Sequence, residues 1–71
     1  MERLRVVTSR IESQLGGNIS GTVYTFNDGS VSFVNDESQY WAESEDDLWE
    51  DNFQDIIPQQ YLNAMGSRKN G

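Results

Sequence analysis

The chain has 71 residues, no cysteine, no histidine, and twelve Asp or Glu against five Lys or Arg, giving a net charge of −7 and a pI near 4.1. That length allows one small domain, near the lower limit at which an apolar core suffices, and the missing cysteines exclude a disulfide framework or a thiolate metal site. The acidity argues against direct binding of nucleic acid or an anionic membrane, and no apolar run approaches the roughly 20 residues of a bilayer span.

In chain order, residues 2–15 are predicted to be helical, because Leu4, Val7, Ile11 and Leu15 recur at helix spacing. Gly16, Gly17 and Asn18 then act as the stop. A hairpin follows. Residues 22–26 and 30–34 are rich in β-formers and flank Asn27-Asp28-Gly29. With Asp28 and Gly29 as a two-residue turn, Phe26 faces Val31 and Tyr24 faces Phe33, all four on a buried face. A second turn with Asp36 and Glu37 at its tip puts Tyr40 opposite Phe33 and Ala42 opposite Val31. Trp41 then points to the other face, where it is either covered by another element or exposed to a partner.

Ser44 is a predicted helix N-cap, followed by Glu45, Asp46 and Asp47, acids that complement the positive helix end. Leu48, Trp49, Phe53, Ile56 and Ile57 form the apolar side of this second helix, with Trp49 assigned to the core. Pro58 interrupts it and restarts a short helix over 59–65. Residues 66–71 read as a flexible tail. The expected fold is α+β: a single domain over 1–71 in the order α-β-β-β-α, a three-stranded antiparallel meander with helices packed on one face.

Catalysis has little material here. Without His or Cys the remaining groups are carboxylates, hydroxyls and Lys69, and so short a chain can hardly wall off a pocket of several hundred Å³. No enzymatic activity, catalytic residue or cofactor is expected. A calcium loop needs alternating oxygen ligands and a turn glycine, and the run after Asp36 has Tyr40 and Trp41 there instead, so no metal site is expected.

Charge as surface remains. Between Arg10 and Arg68 lie eleven acids and not one Lys, Arg or His, and nine of them fall between Asp36 and Asp55. Helix first turns and turn tips attract acids for local reasons, but those reasons do not remove the cations that normally interleave on exposed faces. At helix spacing Glu43, Asp46 or Asp47, Glu50 and the Asp51–Asp55 pair line up a row of carboxylates, about 5–6 Å apart. Asp28, Asp36 and Glu37 extend the row from the ends of the sheet. Such an array offers a Lys- and Arg-lined groove what a phosphate backbone offers, steered at long range and screened by salt. Trp41, if exposed, is an anchor for a protein interface.

The string Tyr24-Thr25-Phe26-Asn27-Asp28-Gly29-Ser30-Val31, with Gln39-Tyr40 and the acids Glu43, Glu45 and Asp46, resembles the small acidic anti-CRISPR proteins of phages that mimic DNA against type I surveillance complexes. The resemblance covers residues 24–47. It implies that Asp28, Glu43, Glu45 and Asp46 stand in for phosphates, and that the partner is a host protein or protein–RNA complex with a basic nucleic-acid groove, met in the bacterial cytosol. The arginine-bearing first segment and the basic Arg68-Lys69 end depart from the family pattern. Two alternatives stay open: an inhibitor of another DNA-acting enzyme (restriction, repair or RNA polymerase), and a small homo-oligomeric adaptor, for instance a homodimer, assembled through Trp41 and the second face of the sheet.

Overall fold

The β-branched run Val6-Val7-Thr8 sets the start of the chain as a strand, not a helix. Branching at Cβ restricts χ1 and suits a pleated surface better than a helical turn. In the computed structural model, which describes residues 3–13 and 20–70 (67–70 by backbone alone), β1 spans Val6–Glu12, β2 Gly21–Phe26, β3 Val31–Val34 and β4 Gln39–Ala42. Helix α1 spans Glu45–Trp49 and α2 spans Gln59–Asn70. The expected first helix is thus corrected to a strand, and its stripe does not form one buried face: Leu4 packs inward, Val7 is 43% and Ile11 77% exposed, and Leu15 lies outside the described residues. The predicted stop at residues 16–18 lies outside the described residues.

All four strands are antiparallel in the order β1-β2-β3-β4. The α+β class stands, with four strands where three were expected. The second turn follows its prediction: Asn35 and Ser38 close it, the Asn35 side chain accepts from the N–H groups of Glu37 (2.8 Å) and Ser38 (2.7 Å), and Phe33 pairs with Tyr40 and Val31 with Ala42.

The first turn differs by one residue. Phe26 N–H donates to Ser30 O (2.9 Å) and Gly29 N–H to Phe26 O (3.0 Å), so the loop holds three residues, with Gly29 at φ 94°. Glycine is the residue that takes this left-handed value without strain, and a three-residue loop ending in it is a common hairpin form. The Asp28 carboxylate fixes the longer loop by accepting from Ser30 N–H (2.9 Å) and Ser30 Oγ (2.6 Å). Val23 therefore pairs with Phe33 and Thr25 with Val31. A slip of one residue moves every side chain of a strand to the other face. Tyr24 and Phe26 consequently join Trp41, not Phe33.

Both faces of the sheet are covered as a result. On one, Val23, Val31, Phe33 and Ala42 bury Leu48 of α1, with Tyr40 and Phe53 packed around them. On the other, Phe26 and Trp41 bury Ile57 and the α2 residues Tyr61 and Ala64, joined by Leu4, Val6 and Met65. The helices thus lie on opposite faces, a correction to the expected single helical layer. It follows from the shifted hairpin, which leaves apolar side chains on both sides. Trp41, 9% exposed, is covered, its ring 5.1 Å from that of Tyr61. Its buried indole N–H has no acceptor.

Helix α1 is shorter than expected. It begins as foreseen, with the Ser44 hydroxyl accepting from Asp47 N–H (3.2 Å). It ends within five residues because Asn52 N–H returns to Asp47 O (2.8 Å) and Asp51 N–H to Leu48 O (3.4 Å), with Asp51 at φ 64°. That is a Schellman cap with aspartate in the left-handed position, a conformation Asp tolerates better than most residues. The chain beyond turns back to bury Phe53 and to pair Gln54 with Trp41. Trp49, assigned to the core, is 39% exposed, and Ile56 is 73% exposed. After Pro58, α2 runs through Asn70, so the segment from Gly66 is helical where a tail was expected.

Candidate functional site: the acidic surface

The acids occupy three places. Glu43, Asp46, Glu50 and Asp51 are exposed on and around α1, with Glu45 and Asp47 partly covered there. Asp36 and Glu37 are exposed at the β3–β4 turn, and Asp55 shares an open depression with them and Tyr40. Asp28 stands alone at the β2–β3 turn, the opposite end of the meander.

The expected row is therefore broken in the middle. Regular i, i+4 spacing ends at Trp49, so Asp51 and Asp55 are not stacked on a helix. What places Asp55 beside the second turn is the Gln54–Trp41 bridge, which pins its neighbour to β4. Among the described residues, no three acids gather closely enough to hold a metal ion.

Three of the expected contact residues already have partners. Trp41 lies inside the second core and presents no anchor, which removes the surface that an adaptor built on it requires. Glu45 is held by Arg10, whose guanidinium also donates through Nε to Glu12 (2.9 Å). Arg10 comes from β1, so this contact ties the short α1 across the sheet. The Arg10 guanidinium, followed by the Trp49 indole N–H (3.2 Å), holds the Glu45 carboxyl below its usual range. Both partners are about two-fifths exposed, so water screens the pair and its main effect is positional.

Asp28 is the third. Besides Ser30, it accepts from the Tyr61 hydroxyl of α2 (2.6 Å). Partial burial pushes its carboxyl up, but the hydrogen bonds from Ser30 and Tyr61 outweigh that and leave it below the ordinary aspartate value. The same site holds the Tyr61 hydroxyl above its usual value, through burial first and the Asp28 bond second. Asp28 thus joins the hairpin to α2. The sign for stability follows: a lowered carboxyl stabilises above its unfolded value, about 3.9, and that part is lost as pH falls through the folded value. Asp28→Asn should flatten the acid limb of a thermal-stability profile below about pH 4. An acid limb with unchanged slope in the variant would remove Asp28 from this role.

Sequence reasoning missed both of these links. Arg10 carried a signal, being the last cation before a long acidic stretch and so a natural internal partner for acids. Tyr61 carried none, because its contact with Asp28 depends on which face α2 covers.

Eight acids of the predicted surface are exposed, and setting aside Asp28, which is bonded to Ser30 and Tyr61, leaves Asp36, Glu37, Glu43, Asp46, Glu50, Asp51 and Asp55. Their neighbours on α1 and the turns bring no cation near them; the described ion pairs of the acids from Glu12 onward are those of Arg10. No described helix is long and apolar enough to cross a membrane. Comparison with known proteins yields no matching family model, no matching curated protein and no matching solved structure.

Proposed function

We propose that this protein is an inhibitor that occupies a basic nucleic-acid groove of a host machine, its carboxylates taking the place of phosphates. A CRISPR surveillance complex is the first target to test, because of the resemblance carried by residues 24–47. Restriction, repair and transcription enzymes follow, since they offer the same cationic chemistry. The observation that supports the reading is the set of seven exposed carboxylates around α1 and the β3–β4 turn. They sit on a sheet packed on both faces, so their spacing is held by a core and not by a mobile tail.

The contact surface in this reading is Asp36, Glu37 and Asp55 at one end and Glu43, Asp46, Glu50 and Asp51 at α1, with Asp47 at its edge. Asp28 and Glu45 act within the fold instead. Acids on a rigid frame raise the encounter rate with a basic groove and make affinity fall with salt. The test is capture of the target from a bacterial lysate on the immobilised protein, followed by competition with duplex DNA. Displacement by excess duplex, with affinity falling steeply as salt rises, is the expected result. Capture that duplex DNA leaves intact would exclude groove occupancy.

A further inference from the structure

The two edges of the sheet are finished differently. Outside β4, Gln54 exchanges two backbone hydrogen bonds with Trp41 (2.9 and 2.7 Å), which closes that edge at its centre. Outside β1, no described strand pairs. Peptide groups along a strand address its two sides alternately. Phe26 N–H donates to Ser30 O and Asn27 N–H to Arg5 O, so Phe26 addresses β3, while Thr25 and Val23 address β1. Their partners Thr8 and Arg10 therefore point inward. Ile11, the next residue, turns its N–H and C=O outward. Its side chain is 77% exposed as well. Outward backbone groups and an exposed apolar side chain at one position are what a strand edge offers to another strand.

We propose that a second copy of this chain completes that edge, β1 pairing antiparallel with its counterpart about a two-fold axis at Ile11. In this register the two Ile11 residues exchange both backbone hydrogen bonds, and their side chains lie together on one face. On the other face Arg10 falls opposite the second copy's Glu12, and Glu12 opposite the second copy's Arg10. The strand is complementary to itself in charge only here: an axis at Arg10 sets two cations against each other, and an axis at Glu12 sets two acids. The irregularity between Val6 and Thr8 breaks the even spacing of the strand's first half, which confines the pairing to its second half. Each molecule carries a charge of −7, so long-range repulsion opposes the dimer and added salt strengthens it. This assembly stands independently of the inhibitor reading, whose partner affinity salt weakens.

Sedimentation equilibrium of the intact chain, from micromolar to millimolar concentration at low and high salt, tests the proposal. The wild-type chain should dimerise reversibly and more tightly at high salt. Ile11→Pro, which deletes the outward N–H, should be monomeric. Arg10→Glu and Glu12→Arg should each be monomeric alone, because like charges then meet across the axis. Mixed together they should form a heterodimer at least about tenfold tighter than either self-association, given up to ~1 kcal/mol for each opposite-charge cross-strand pair. The heterodimer also shows that both variants fold. A wild-type chain that stays monomeric at millimolar concentration, a dimer that survives Ile11→Pro, or a mixture no tighter than its components would overturn the assignment.

Discussion

Replacing Asp46, Glu50, Asp51 and Asp55 together by their amides should weaken capture by a basic duplex-binding groove about a thousandfold, at ~1 kcal/mol for each lost charge contact at high dielectric. The four side chains are exposed and the substitutions nearly isosteric, so the fold should not suffer. Asp51 is the least risky of them. Its backbone sits at φ 64°, where asparagine is as well tolerated as aspartate. Removing four charges from −7 leaves −3 and also relieves self-repulsion. Affinity should therefore drop while the urea midpoint holds or rises. The salt dependence of the residual binding should flatten in the same experiment, because fewer charge contacts remain to be screened. A quadruple variant that binds within tenfold of the parent would show that shape and apolar contact hold the partner, not charge.

Phe33→Ala should remove roughly half of the protein's stability. Phe33 is fully buried at the centre of the α1-side core, with its ring centroid 6.1 Å from that of Tyr40. The space around it cannot easily close. Gly21, at the start of the adjoining β2, already approaches so near that an added Cβ would lie 2.8 Å from the Phe33 ring tip and 2.6 Å from Val34 O. Truncating a buried Phe to Ala costs about 3–5 kcal/mol. A chain of this length has about 4–11 kcal/mol in total, so the variant should lose roughly half of it and unfold at a much lower urea concentration. Urea denaturation followed by far-ultraviolet circular dichroism measures it. Ile11→Ala is the paired control. A helical stripe through Leu4, Val7 and Ile11 would make it a core deletion, whereas an exposed edge position should change stability by no more than about 0.5 kcal/mol.

Those two substitutions mark where the fold was legible and where it was not. The second hairpin was readable because Asn35, Asp36 and Glu37 leave only a two-residue tip, and the strands on either side alternate consistently. The Ser44 cap was readable because an N-cap is decided by one side chain and its own backbone. The first hairpin was not, since Asn27-Asp28-Gly29 accommodates a loop of two residues or of three. The choice is made by the Asp28 carboxylate gripping Ser30, a contact no periodicity reveals. One residue of register then decided the rest: which face holds Phe26, whether Trp41 is covered, and where α2 docks. The first segment misled because a spacing of three and four residues between Leu4, Val7 and Ile11 fits a helix. Exposed apolar residues on an edge strand obey no burial pattern that could argue against it. Helix α1 stops where it does through Asp51, a residue without the glycine signal that usually marks such an end.

The acidic surface divides along the same line. Its exposed members were readable from composition and from the missing cations, properties of the chain alone. Removing Asp28, Glu45 and Trp41 from it required the packing, because each is engaged by a residue distant in sequence: Tyr61, Arg10 and again Tyr61.

The placement of the two indoles gives the molecule a pair of separate optical reporters. Trp41 is sealed between the sheet and α2, so its emission should be blue-shifted in the native state and move only on global unfolding. Trp49 stands at the end of α1 with its indole N–H donating to Glu45, beside the exposed carboxylates of that segment. Quenching by iodide or acrylamide should reach Trp49 first, and the proposed docking of a partner at α1 should relieve it. Single Trp→Phe replacements would then let folding and docking be followed in one cuvette as distinct signals.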